Sequence, residues 1–382
     1  MATRKQSPTF KAEVKDLVQG TLPIGNDSSI GTDLVAWNKF KKLLDESVAG
    51  GELFSTGIVS TYNLIYTNPA GGAHAGAVLA PNGDIHFIPY SATVGQKISS
   101  AGIVSTYSLV YTATTAYYGG VLAPNGDIHF VPSHGVRGQK ISASGVVTTY
   151  SLIYTNTTTS AHIGGVLAPN GDIHFIPRTA TVGQKISAAG VVSTYSLVYP
   201  VASSYLCGVL APNGDIHFVP TIAPVGQKVS AIGVVSTYSL VYTASSGNVY
   251  FGGVLAPNGD IHFVPGSAPV GQKIDINGVV STYSLVFTST SAAYAGGILA
   301  PNGDIHFVPR NATIGQKVSA TGVVSTYALA NTVAASYLGG ILAPNGDIHF
   351  IPLTGTVGQK ISTNVGTKFS QGICQSPFFN KF

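Results

Sequence analysis

The stretch Leu122-Ala-Pro-Asn-Gly-Asp-Ile-His-Phe-Val-Pro132 decides how this chain is read, because its core keeps returning. Pro-Asn-Gly-Asp-Ile-His-Phe occurs seven times, with its aspartate at Asp84, Asp127, Asp172, Asp215, Asp260, Asp304 and Asp347. The separations are 43, 45, 43, 45, 44 and 43 residues. Two other landmarks keep step with it. A Val-Ser-Thr-Tyr-like block ends at Tyr62, Tyr107, Tyr150, Tyr195, Tyr238, Tyr283 and Tyr327, and a Gly-Gln-Lys block places Lys97, Lys140, Lys185, Lys228, Lys273, Lys317 and Lys360. Seven complete repeats fill residues 54–361.

Around the motif each repeat holds four short extended segments. In the second repeat the first is Gly102-Ile-Val-Ser-Thr-Tyr-Ser-Leu-Val-Tyr-Thr112, rich in the β-branched and aromatic residues that fit a pleated surface. Gly119-Gly-Val-Leu-Ala123 follows, then the turn Pro124-Asn-Gly126, then Asp127-Ile-His-Phe-Val-Pro132, and last Gln139-Lys-Ile-Ser142. Pro presets φ at the first turn position and Gly accepts the positive φ that closes a hairpin. Helices are excluded because the segments are short, β-branched and punctuated by Gly and Pro. Four strands in about 44 residues, repeated without insertion, match the blade period of a propeller. The expected fold is therefore all-β, a seven-bladed β-propeller of four-stranded blades. If blades begin at the Gly-Gly-Val-Leu-Ala segment, the first strand (residues 57–66) has to complete the seventh blade. The tail after residue 362 is the alternative occupant of that edge.

Composition agrees. Of 382 residues 45% are hydrophobic and only 9% charged, with 46 Gly and 21 Pro. Blades that pack on blades leave only rims and loops for water, so a propeller needs little charge. Such an apolar chain does not read as disordered, and no apolar run reaches the length of a membrane helix, so membrane insertion is not expected. The net charge of +4 is diffuse, and a nucleic-acid partner is not expected. Two cysteines, Cys207 and Cys374, give no disulfide framework. The opening residues lack the apolar stretch of a secretory signal, which points to synthesis in the cytoplasm.

Chemistry-bearing residues are repeated rather than clustered. Each repeat has one Asp, one His and one Lys, as in Asp84, His86 and Lys97. The His reads as a hydrogen-bonded residue between blades, the Asp as a ligand of its own turn or a neighbouring backbone. The Lys pairs with the Asp or reaches solvent. Every blade offers the same set, and no divergent blade adds a carboxylate, a Ser/His/Asp set or a metal cluster, so no enzyme, cofactor or metal is expected. A second regularity lies ten residues before each Asp: His74, Tyr117, His162, Tyr205, Tyr250, Tyr294 and Tyr337. It ends the most variable loop of the repeat. A ring of Tyr and His suits stacking on a sugar or a protein partner, and equally suits a residue covering the rim.

Residues 1–53 and 363–382 flank the propeller, which is assigned residues 54–362. An amphipathic helix is expected at about 33–47, with Trp37, Phe40 and Leu44 on one face at i, i+3, i+7 spacing. The tail ends with Phe378, Phe379 and Phe382, which favour burial. Both groups are candidate docking points, on the propeller itself or on a partner.

The near-identical blades, with Leu-Ala-Pro-Asn-Gly-Asp-Ile-His-Phe almost unchanged, resemble recently amplified propellers. The Asn-Gly-Asp-Ile-His-Phe-Val-Pro unit resembles repeats of tailed phages and other large DNA viruses. That resemblance covers most of the chain. It implies a virion-associated adaptor or decoration protein, with other virion proteins or further copies of itself as partners. The alternative is a multivalent lectin-like propeller that binds a host-surface glycan through the Tyr/His positions.

Overall fold

A computed structural model describes residues 58–68, 71–244, 247 and 249–363. These hold 28 strands in seven four-stranded antiparallel sheets. The expected helix with Trp37, Phe40 and Leu44, and the tail with Phe378, Phe379 and Phe382, lie outside the described residues.

The first strand, β1 (Ile58–Asn63), is followed by a complete blade: β2 (His74–Leu79), β3 (Ile85–Pro89), β4 (Gly95–Ile98) and β5 (Val104–Tyr107). The second blade repeats it as β6 (Tyr117–Leu122), β7 (Ile128–Pro132), β8 (Arg137–Ile141) and β9 (Val147–Ser151). Four more blades occupy 162–196, 205–239, 250–284 and 294–328. The seventh consists of β26 (Tyr337–Leu342), β27 (Asp347–Pro352), β28 (Val357–Ser362) and β1, in the order β26-β27-β28-β1. β1 and β28 pair over a six-residue register, from Ile58 opposite Ser362 to Asn63 opposite Val357. The first strand thus completes the last blade, as the repeat phase requires, and removes two open edges.

Position in the blade explains composition. The second strand, Ile-His-Phe-Ile/Val-Pro, is buried at every residue, which is why it reads as a nearly continuous apolar run. Its phenylalanine (Phe87, Phe130, Phe175, Phe218, Phe263, Phe307 and Phe350) is fully buried in all seven blades. Val78 and Ile88 of the first blade pack against Tyr117, Ile128, Phe130 and Ile141 of the second, so the core lies between blades. The fourth strand stands at the rim with one partner only.

The innermost strands meet at glycines. A Cβ on Gly76 would come within 3.3 Å of the Gly119 Cα, and one on Gly119 within 3.2 Å of the Gly164 Cα. Gly76 and Gly119 have φ of 92° and 90°, conformations that side chains resist, and each inner strand slips register against its neighbour there.

Candidate functional site

The tight Pro-Asn-Gly turns and the turns joining third to fourth strands share one end of the ring. There the repeated polar residues form a closed module. Asn82 Oδ1 accepts the Asp84 N–H at 3.0 Å, Asp84 Oδ1 accepts the Ser100 N–H at 3.3 Å, and Asp84 Oδ2 meets Lys97 Nζ at 2.6 Å. The ion pair recurs in every blade at 2.6–2.7 Å. Burial pushes the carboxyls of Asp84, Asp127, Asp172, Asp215 and Asp260 upward. The lysine and the turn hydrogen bonds outweigh burial and leave them below the ordinary carboxylate range. His86 Nδ1 lies 3.4 Å from the Tyr107 hydroxyl, and the equivalent His and Tyr rings sit 5.3–5.5 Å apart in all seven blades. His and Tyr come from the second and fourth strands of one blade, which corrects the expectation of a bond between blades. Burial holds the seven histidines at about 4, so they are neutral near pH 7. Among the described residues no three His, Cys, Asp or Glu side chains gather as a metal site.

The residue that joins blades is the glutamine of Gly-Gln-Lys. Gln139 is fully buried, and its Oε1 accepts the N–H groups of Val110 at 3.0 Å and Tyr111 at 2.8 Å, on the segment leaving the previous blade. The same clasp is made by Gln96, Gln184, Gln227, Gln272, Gln316 and Gln359. The sequence reading passed over it, although the signal was present: Gln stands between Gly and Lys in every repeat. The glycine before it is required because the tyrosine of the adjacent strand lies flat on it; a Cβ on Gly183 would overlap the Tyr195 ring.

The Tyr/His positions do not form an exposed ring. His74, Tyr117, His162, Tyr205, Tyr250, Tyr294 and Tyr337 are 0–1% exposed. Each ring stands at an angle against the core phenylalanine of its own blade, as Tyr117 does on Phe130 at 5.4 Å. Five hydroxyls donate to a main-chain carbonyl at the head of the third strand, as Tyr117 does to Arg137 O at 3.0 Å. His74 and His162 fill the same space, and burial holds both at about 4. Side chains so enclosed present no face to a sugar, which removes the geometric basis for lectin-like binding there.

Blade-to-blade differences concentrate at the opposite end, where the channel opens among the longer loops. The residue after the second-strand proline is Tyr90, Ser133, Arg178, Thr221, Gly266, Arg310 or Leu353. Its carbonyl accepts an N–H from the next blade's loop, as Tyr90 does from Ala116 at 2.8 Å and Arg310 from Ala335 at 2.7 Å. Because the main chain does that work, the side chain is free to vary. The inner-strand residue beside it varies too: Ala75, Tyr118, Ile163, Leu206, Phe251, Ala295, Leu338. Tyr90, Tyr118, Phe251 and Leu353 pack around Ala75, Ala295 and Leu338, and Tyr90 meets Tyr118 edge-on at 5.6 Å. Below them the channel holds a largely apolar cavity of about 120 Å³ whose walls include Tyr118, Leu206, Cys207, Phe251 and Leu338. Arg310 stands over Phe251, its Cζ 4.9 Å from the ring centroid. Burial raises the Tyr90 and Tyr118 phenols, the latter to about 12, while Arg310 and Arg178 both pull them back. Two guanidinium groups and two phenols therefore share one small region.

No protein-family model matches the sequence, and no curated protein is significantly similar to it. The fold has solved counterparts. A streptogramin B lyase is 20% identical, with a TM-score of 0.69 over 81% of this chain and 98% of that one. Hydrazine synthase of Kuenenia stuttgartiensis is 10% identical, with a TM-score of 0.61 over 79% and 98%. The WD40 propeller domain of Doa1 is 13% identical, with a TM-score of 0.60 over 80% and 98%. At these identities the likeness is one of fold. It overturns the expectation that the chain is not an enzyme: rings of this build carry enzymes, so repetition of blades does not exclude catalysis. The exclusion also assumed seven equal blades, and the loop end of the channel is not sevenfold.

Proposed function

We propose that the propeller is a structural and interaction module, a rigid adaptor or decoration protein of a virus particle, made in the host cytoplasm and held in the particle by its terminal segments together with its rim. The observation that carries this reading is the rim. Each outermost strand has an open edge and no charged residue, and the segment that leaves it exposes β-branched apolar side chains: Val110, Ile153, Val241 and Val286 are 61–63% exposed. Natural sheet proteins blunt such edges with lysine or proline; this rim has neither in its strands and offers seven nearly equal contact surfaces. The lack of variation among blades suits a scaffold that meets a repetitive partner.

Density-gradient fractionation of the native source, with peptide mass spectrometry of each fraction, tests this. The expected result is co-sedimentation with a particle at a constant ratio to its major protein. A triple variant Val110→Lys, Val198→Lys and Val286→Lys should fold as the wild type and lose incorporation. Recovery only as free protein, or unchanged incorporation of the triple variant, would refute the proposal.

A further inference from the structure

The charges of the described ring are segregated. Seven of its eight carboxylates are bound to lysines at the tight-turn end, and the eighth, Asp275, accepts N–H groups of its own turn from Asn277 and Val279. The three arginines, Arg137, Arg178 and Arg310, all stand at the loop end, where the described residues include no acid. Arg178 and Arg310 are half-buried beside Tyr90 and Tyr118. Arg310 Nε is buried and without a hydrogen-bond partner. A buried donor left unpaired costs stability, and a guanidinium fork without a carboxylate is poised for one. The Tyr90 and Tyr118 hydroxyls also have no partner among the described residues. Beneath these donors lies the apolar throat of about 120 Å³. Apolar voids of about 150 Å³ hold a benzene ring.

We propose that the loop end of the channel is a binding site for a small organic oxyanion, a carboxylate or phosphate carrying an apolar group. Arg178 and Arg310 hold the anionic head, the Tyr90 and Tyr118 hydroxyls donate to it, and Phe251, Leu206 and Leu338 receive the apolar part. This site is independent of whether the ring belongs to a virus particle. It explains why divergence among near-identical blades gathers at this end. At the positions that pack between or within blades, a change in one blade would break a contact that seven blades share. Here the shared contacts are made by the main chain, and the blades bring six residue types, arginine twice, to one asymmetric pocket.

The test uses the full chain with phenyl phosphate and benzoate as probes, and inorganic phosphate and benzyl alcohol as controls, in low-salt calorimetric titrations. Both aromatic anions should bind more tightly than either control, and the tighter of the two identifies the head group. Arg178→Gln and Arg310→Gln should each weaken binding by about tenfold or more, and the double variant should abolish it. Arg137→Gln should bind as the wild type. A crystal of the wild type with the tighter probe, which needs no variant to fold, should show the anion between Arg178 and Arg310. Binding no tighter than benzyl alcohol, binding unchanged in a folded double variant, or a probe located elsewhere would each overturn the proposal.

Discussion

Replacing Gln139 by methionine isolates the clasp between blades. Methionine keeps the length and most of the volume of the side chain but cannot accept the N–H groups of Val110 and Tyr111. Each buried N–H left without a partner costs about 1–3 kcal/mol. Val110 stands at the rim with its side chain 63% exposed, so its N–H can turn to water and recovers much of that loss. The amide nitrogen of Gln139 makes only a long contact, 3.4 Å to Tyr111 O, so little is lost on that side. The net cost should be about 1–3 kcal/mol, nearly all of it from Tyr111. At about 2–4 °C per kcal/mol for a domain of this order of size, Tm should fall by roughly 2–12 °C. Hydrogen exchange adds a local reading: the Tyr111 amide should lose protection while amides of the opposite blades keep theirs. Adding Gln272→Met, three blades away, should produce the sum of the two single effects, since distant sites without shared partners are additive. A Tm within 1 °C of wild type, with the Tyr111 amide equally protected, would refute the assignment of the glutamine as the fastener of the ring.

Two further outcomes follow from buried groups. Nine histidines are held at about 4 by burial, against about 6.5 in an unfolded chain. Between those values the unfolded chain binds protons that the folded ring does not, so stability is full above about pH 6.5 and falls as the pH drops toward 4. Thermal melts across pH 7.5 to 3.5 should show a steep cooperative loss in that window, and a flat Tm from pH 7 to 4.5 would contradict it. Gly183→Ala drives a methyl group into the Tyr195 ring and should cost about 1–3 kcal/mol by overpacking, with partial recovery when Tyr195→Leu is added; denaturant melts of the single and double variants measure both steps, and a neutral single variant would refute the contact.

The period, the hairpin turns and the ring closure were legible because each is written in local chemistry. Pro-Asn-Gly fixes a turn wherever it stands, and seven copies at constant spacing leave one strand over at the start for the last blade. The sites were less legible because their partners lie about half a repeat or more away. Tyr117 follows a variable loop and looks like a rim residue, yet its burial is decided by Phe130 and by the wall of the preceding blade, Val78 and Ile88. Gln139 looks like one polar residue of an alternating strand, and its partners lie 28 and 29 residues upstream on another blade. The alternation of polar and apolar residues places His129 on one face of its strand without telling which strand supplies the tyrosine beside it.

Symmetry itself separates structure from function in this ring. A residue that packs against the neighbouring blade must satisfy the same geometry seven times, so Phe130, Gln139, Lys140 and Gly138 recur without change. A position freed from that demand can differ from blade to blade at no cost in packing. The position after the second-strand proline meets this condition, because the contact it owes its neighbour is a main-chain carbonyl. Six residue types, arginine twice, are thereby brought around one axis, a set which no single blade holds alone. A sevenfold scaffold thus gains one asymmetric mouth, and the loop end of the channel is where chemistry specific to this chain has room to reside.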